Sequence, residues 1–277
     1  SGDLRDPFEV NLASKGCDYI INLAALIGIP YSFKAPKNYV DTNIMGTLNI
    51  LEAAKKNNLK KIILTSTSEV YGTAQKIPMQ ENHPLNAQSP YAATKISSDF
   101  LGLSYFHSYN LPITILRPFN TFGPRQSARA IIPSILIQVL NDRKIIELGN
   151  LNPTRDFNYV DDTTEAFLRT LISRKNTNGN IYNVCSGYEI SIREICEVIQ
   201  KITKKKFIVK KKKERTRSRQ TEVERLLGDN KKIIKHLNWK PKYSKKEGFI
   251  TGIRKTIEWF KNDDNLSKYK KIYNSVL

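Results

Sequence analysis

The sequence predicts an α/β protein built on a parallel sheet with both faces covered. Three observations carry that prediction. The runs Cys17-Asp18-Tyr19-Ile20-Ile21-Asn22-Leu23, Lys61-Ile62-Ile63-Leu64 and Leu111-Pro112-Ile113-Thr114-Ile115-Leu116 are short and nearly free of polar alternation, the pattern of strands buried on both sides. Residues with helical apolar spacing lie between them, as in Val40, Ile44, Leu48, Leu51 and Ala54. Each run then gives way to small or polar residues at its C-terminal end, the edge where open α/β sheets bind ligands.

The elements follow in order. After the first run come Leu23, Ala24, Ala25 and Leu26, small enough in part to let a backbone approach a flat ligand. Residues 39–57 read as a helix with Asn43, a poor helix former, inside it. The second run leads into Ser66-Thr67-Ser68-Glu69-Val70-Tyr71-Gly72. A connector rich in Pro and Asn precedes Ser89-Pro90-Tyr91-Ala92-Ala93-Thr94-Lys95, a helix start with Ser89 as N-cap and Pro90 at the first helical position. The third run ends in Arg117-Pro118-Phe119-Asn120-Thr121-Phe122-Gly123-Pro124-Arg125. Beyond residue 128 the alternation loosens. A helix is expected over 130–140, a short strand over 180–185, a helix capped by Ser191 and Glu194, and a final helix over 247–260.

Tyr91 and Lys95 are four apart and share a helix face. A phenol holds its proton up to about pH 10, and a cation beside it favours the phenolate. The pair is therefore a candidate proton acceptor, with Thr67 placed to hydrogen-bond the same substrate oxygen. A tyrosine and a lysine at this spacing are also common on solvated helix faces. The preceding strand that ends in Ser-Thr-Ser-Glu-Val-Tyr-Gly separates the two readings.

These paired motifs resemble the extended short-chain dehydrogenase/reductase family, the nucleotide-sugar epimerases and dehydratases, from Asp3 to about Phe260. The resemblance implies a Rossmann-like doubly wound parallel sheet with a smaller C-terminal α/β cap. The NAD-binding part would comprise residues 1–127 and 154–180, and the substrate cap 128–153 and 181–277. It implies cofactor contacts from Asp3 and Leu4 on the adenine side, from Leu23, Ala24, Ala25, Leu26 and Asn43, and from Tyr91, Lys95 and Phe119. Thr67, Glu69, Tyr91 and Lys95 inherit the catalytic positions. Ser68, Asn120, Arg125, Arg155 and Arg217 inherit substrate contacts. Arg155 lies in Arg155-Asp156-Phe157-Asn158-Tyr159-Val160-Asp161-Asp162, and Ser218 stands where a proline usually follows Arg217.

The implied chemistry is oxidation of a sugar C4 hydroxyl with Tyr91 taking its proton, loss of the now acidic C5 hydrogen to a base, and departure of the C6 hydroxyl as water. Glu69 is that base by position. Many dehydratases read Thr-Asp-Glu, whereas this chain reads Thr67-Ser68-Glu69, and a serine donates a proton less readily than a carboxylic acid. UDP-glucuronate decarboxylases also carry Thr-Ser-Glu, and 4-epimerases share the fold. The 126–133 and 221–228 segments look most like GDP-N-acetylglucosamine 4,6-dehydratases of legionaminic-acid-type pathways. A tightly held, recycled NAD, a nucleotide-diphosphate sugar and a homodimer through helices 39–57 and 91–109 are the expected partners.

Composition bounds the alternatives. The 277 residues are 40% hydrophobic, with no apolar run near the length of a membrane span. Cys17, Cys185 and Cys196 are too few and scattered for a disulfide framework or a zinc site. The net charge is +19, densest over residues 201–219. With Phe207 the only aromatic there, a base-stacking platform is not expected, and nucleic acid is not an expected partner. A cytoplasmic location is the default. No glycine-rich phosphate turn occurs in the sequence, so about 50 to 60 residues of the expected fold are unaccounted for, at roughly 30 per βαβ unit. The expectation is a fragment with an open sheet edge and weakened NAD binding, and the alternative of another class is an inactive truncated remnant.

Overall fold

The computed structural model describes residues 2–212 and 223–275. Four strands, β1 (Tyr19–Asn22), β2 (Lys61–Thr65), β3 (Ile113–Pro118) and β7 (Ile181–Val184), form one sheet in the order β1-β2-β3-β7. Every pair is parallel, with Ile62 opposite Ile20 and Ile113, and Ile115 opposite Ile181. Successive strand side chains point to opposite faces, and the packing follows that alternation. Ile62, Leu64, Ile113 and Ile115 meet Leu51, Ala54 and Leu59 on one face. Ile63, Leu116, Tyr182 and Val184 meet Phe167 and Trp239 on the other. All eight of these strand residues are buried, and each fully buried side chain of this size contributes about 1.5–3 kcal/mol. Their unbroken apolar character follows from this two-sided cover.

The first face is covered by α1 (Pro7–Ser14), α4 (Gly46–Lys56) and α5 (Pro90–Tyr109). Two short helices, α2 (Ile29–Lys34) and α3 (Pro36–Tyr39), come before α4, and the chain reaches α4 through a π-helical turn, Val40–Met45. The single helix expected over 39–57 is therefore interrupted at Asn43. The physical reason is that the Asn43 side chain bonds outside the helix: its Oδ1 accepts from Leu26 N at 2.9 Å, and its Nδ2 donates to Leu26 O and Thr94 Oγ1, both at 3.0 Å.

The second part packs around β6 (Thr154–Tyr159), which pairs in parallel with β4 (Asn120–Phe122) and β10 (Arg225–Leu226), and antiparallel with β8 (Glu189–Ser191). Its core joins α6 (Ile131–Leu140), α8 (Ile192–Thr203) and α10 (Lys245–Lys261) through Ile135, Ile195 and Ile253. A parallel pair, β5 (Ile145–Leu148) with β9 (Ile208–Lys211), flanks it. The helix after β6 is α7 (Val160–Ile172), α9 (Lys231–Leu237) follows β10, and α11 (Asp263–Ser275) closes the described chain. Ser191 and Glu194 form the expected reciprocal cap of α8.

Asp156 ties the two parts together. Its carboxylate is fully buried and accepts from Ser186 N at 2.8 Å, Ser186 Oγ at 2.6 Å, Gly187 N at 3.0 Å and Gly228 N at 3.3 Å. Burial pushes this carboxyl up to about 6 although the four donors oppose the shift. Asp156→Ala should cost about 3 kcal/mol, because it leaves several buried donors without a partner. Equilibrium denaturation measures this, and a loss below half a kcal/mol would contradict the role.

β1 is an edge strand among the described residues. Tyr19 on it, Leu23 just after it, and Phe8 and Leu12 on α1 are exposed. Among the described residues no helix is long and apolar enough to cross a membrane.

Candidate active site

The site lies at the C-terminal ends of β1, β2 and β3. After β2 the chain makes a 3₁₀ turn, Ser68–Tyr71, capped by Thr67, whose Oγ1 accepts from Glu69 N at 3.3 Å. The turn ends at Gly72, where φ is 62° and ψ is −147°, a backbone conformation that essentially only glycine adopts. A Cβ there would also stand 2.4 Å from the Asn86 carbonyl oxygen. Gly72→Ala should therefore cost about 2 kcal/mol or more in thermal or denaturant unfolding. An unchanged midpoint would show that the turn can relax.

α5 starts as the sequence implies. Ser89 Oγ accepts from Ala92 N at 3.1 Å and Pro90 occupies the first turn. This fixes Tyr91 at the head of the helix, buried at 7% exposure and edge-on to Tyr39 with ring centroids 6.3 Å apart. Burial pushes the Tyr91 phenol upward, the Thr67 hydroxyl close to it pulls downward, and the nearby charge of Glu69 pushes it further up. The structure thus brings Thr67, Glu69 and Tyr91 together. Lys95 is also buried, but its ammonium donates to the Thr65 carbonyl, and the charge that opposes its desolvation is Asp99. The group that works against burial at the phenol is Thr67, not Lys95. Ser68 is buried at the start of the turn.

The other candidate residues separate into three groups. Asn43 is 2% exposed and its amide is taken up by Leu26 and Thr94, so it shapes the loop after β1. Tyr39 does the same by donating to Gly28 O at 2.6 Å. The backbone of Leu23, Ala24, Ala25 and Leu26 is held in that loop, where Ala24 N donates to Asn22 Oδ1 at 3.1 Å. Leu4 lies over Gly46, and its carbonyl accepts from Asn49 Nδ2 at 3.0 Å. The Asp3 carboxylate is held by the Arg5 guanidinium, which keeps it at about 2.

At the end of β3, Phe119 is buried against Tyr71, Met79 and Cys185, with its N–H on Val184 O at 2.9 Å. Asn120 follows, and its Nδ2 is a buried donor with no partner. Arg155 is on β6, two residues before the strand partner of Asn120, and its Nη1 donates to Thr154 O at 2.9 Å. Arg125 is exposed, in a left-handed conformation after the Gly123-Pro124 turn. Arg217 lies outside the described residues.

A buried polar network escaped sequence reasoning. Asp99 on α5 and Arg117 on β3 are each 2% exposed and form an ion pair at 3.0 Å. Asp99 also accepts from Ser66 Oγ at 2.8 Å. Arg117 Nη1 donates to Tyr71 Oη at 3.0 Å and to Glu81 O at 3.2 Å, and Tyr71 Oη donates to Asn183 Oδ1 at 2.7 Å. The available signal was the spacing Tyr91, Lys95, Asp99, which continues one helix face for two turns.

Comparison with known proteins decides the family. The profile of the GDP-mannose 4,6 dehydratase family matches residues 1–251. The chain belongs to that family. It is an NAD-dependent nucleotide-sugar enzyme of the extended short-chain dehydrogenase/reductase, epimerase/dehydratase class. It is 34% identical over 255 residues to a UDP-glucuronate 4-epimerase of Thermodesulfobacterium geofontis, covering 91% of this chain and 75% of that protein. It is 31% identical over 280 residues to the human dTDP-D-glucose 4,6-dehydratase, covering 99% and 77%. Among solved structures, the dTDP-glucose 4,6-dehydratase DesIV of Streptomyces venezuelae, crystallised with NAD, superposes with a TM-score of 0.86 at 27% identity, covering 95% of this chain and 79% of that one. The UDP-glucuronic acid 4-epimerase of Bacillus cereus, also with NAD, gives 0.84 at 29%, covering 97% and 81%. The parallel sheet with its smaller C-terminal cap is the fold of these enzymes.

The residues at the sheet edge fit the nicotinamide and ribose portion of an NAD. The Tyr91 hydroxyl and the Lys95 ammonium belong to this edge, and the loop after β1 leaves Leu23 and Ile27 exposed beside it. Among the described residues no group of side chains is arranged to hold a metal ion.

Proposed function

We propose that this epimerase/dehydratase family member converts a nucleotide-diphosphate sugar to its 4-keto-6-deoxy product, a 4,6-dehydration. The observation that carries this reading is the Glu69 carboxylate beside the Tyr91–Thr67 pair. Tyr91 accepts the proton of the C4 hydroxyl, and Thr67 holds both the phenol and the substrate oxygen. NAD, when bound, supplies the two-electron oxidant that no side chain here can provide. The ketone at C4 makes the C5 hydrogen acidic; Glu69 removes that proton and hands it to the C6 hydroxyl, which leaves as water. The hydride taken from C4 would return from the reduced cofactor to C6 as C5 regains a proton, giving the 4-keto-6-deoxy sugar with NAD regenerated. The site must hold the reacting atoms near contact distance, which supplies much of the rate. Asn120, Arg125 and Arg155 are assigned to the sugar nucleotide, as is Arg217, because a guanidinium forks onto paired phosphate oxygens.

A second reading is 4-epimerisation, which needs the Tyr91 step but not a base at C5. It is favoured by the similarity to the two UDP-glucuronate 4-epimerases. Product masses from GDP-N-acetylglucosamine, dTDP-glucose and UDP-glucuronate separate the outcomes. Dehydration loses water, epimerisation leaves the mass unchanged, and decarboxylation loses carbon dioxide. Glu69→Gln should lower water loss by about a hundredfold or more while C4 oxidation, read as reduced cofactor, persists. Undiminished water loss from this variant would overturn the dehydratase reading.

A further inference from the structure

We propose that the buried Asp99–Arg117 ion pair is the positioning device for the Thr67–Tyr91 pair, tying the end of β2 to α5 and keeping a negative charge beside the Lys95 ammonium. It rests on the reading of Tyr91 as the proton acceptor. The two residues that precede Thr67 are each anchored to the helix that carries Tyr91. The Thr65 carbonyl accepts from Lys95 Nζ, and Ser66 Oγ donates to Asp99 Oδ2 at 2.8 Å. Asp99 is in turn fixed by Arg117, whose Nε and Nη2 both reach Oδ2 at 3.0 Å. Arg117 projects from β3, the strand next to β2, and its other nitrogen is held by Tyr71 at the far end of the Thr67 turn. The turn bearing Thr67 and Glu69 is thus gripped before and after by one buried guanidinium–carboxylate pair.

The same geometry decides the charge at Lys95. A buried lysine without a partner loses its proton readily. Here Asp99 lies one helical turn beyond Lys95 and is the group that favours its charged form. The titratable groups gathered at this point are Tyr91 and Asp99 from α5, Glu69 and Tyr71 from the turn, Arg117 from β3, and Tyr39 from α3. Of these, Asp99 is the one that acts on Lys95. Asp99 makes no contact with substrate in this assignment; it acts through Ser66 and Lys95.

The test is NMR of the whole chain labelled with carbon-13 at the lysine ε position, with the Lys95 resonance assigned by Lys95→Met. In the wild-type chain Lys95 should stay protonated through neutral pH. In the double variant Asp99→Leu, Arg117→Met, which replaces the pair by apolar side chains of similar size, Lys95 should titrate lower by about one pH unit with the exposed lysines unmoved. An unshifted Lys95 in the folded variant would overturn the proposal. Should the variant not fold, loss of the Lys95 proton below neutral pH in the wild type overturns it equally. On dTDP-glucose the double variant should lose about tenfold or more in kcat at nearly constant KM, whereas Arg117→Lys, which keeps the charge, should recover part of that loss. Turnover that survives Tyr91→Phe would instead sink the proton-acceptor reading and leave the Lys95 titration standing.

Discussion

Tyr91→Phe should lower turnover by about a hundredfold to ten-thousandfold, the range that a positioned proton-transfer group contributes, and should leave the fold intact. The ring is buried at 7% exposure and packs edge-on to Tyr39, and phenylalanine keeps both features. What is lost is the hydroxyl, whose partner is the Thr67 side chain. Thr67 keeps the bond that it accepts from Glu69 N, and its own hydroxyl, which loses the phenol oxygen, is only half-buried. The stability change should therefore stay within about 1 kcal/mol, the usual net value of one hydrogen bond. Because burial pushes the phenol upward, the resting hydroxyl is protonated at neutral pH. It becomes an acceptor only as positive charge gathers near it, and activity should rise with pH on the alkaline side of neutrality. Turnover and unfolding measured on the same preparation check both halves. Retained turnover, or a collapse of stability, would each remove Tyr91 from the role.

Much of this site was legible because it uses local signals. The strands β2 and β3 read correctly because both faces of the sheet are covered, so their apolar runs have no polar alternation to confuse them. Ser89 and Pro90 marked the start of α5 because capping is decided within four residues. Asn43 was visible as a misfit inside a helix, but its consequence was not. The π-helical turn arises from bonds to Leu26 and Thr94, which lie 17 and 51 residues away. β6 carries no strand signal in the sequence because the polar residues Asp156 and Asn158 interrupt its apolar pattern. They are fully buried, and Asp156 gathers its donors from segments 30 to 72 residues distant. Asp99 and Arg117 failed for a similar reason. An acid in a helix reads as solvent-facing until a basic residue from another strand is known to meet it.

Asp99→Asn alone should be among the most destabilising single changes in the chain. Arg117 is 2% exposed and stays charged at any accessible pH, so removing its carboxylate leaves a buried cation with neutral partners. Breaking a buried ion pair from one side costs about 3–5 kcal/mol, whereas exchanging both members for apolar groups is often nearly neutral. The asparagine makes matters worse locally. Asp99 Oδ2 accepts from Ser66 Oγ and two Arg117 nitrogens, and an amide NH₂ in that position would face donors only. The amide can turn its oxygen toward them, and the charge is then the part that cannot be restored. Denaturant unfolding should show the full loss for Asp99→Asn, and a smaller one for the double variant Asp99→Leu, Arg117→Met. Equal losses would mean that packing, not charge, holds this junction. A loss near zero for the single variant would mean that water reaches Arg117, and the end of β2 would then be free to move without it.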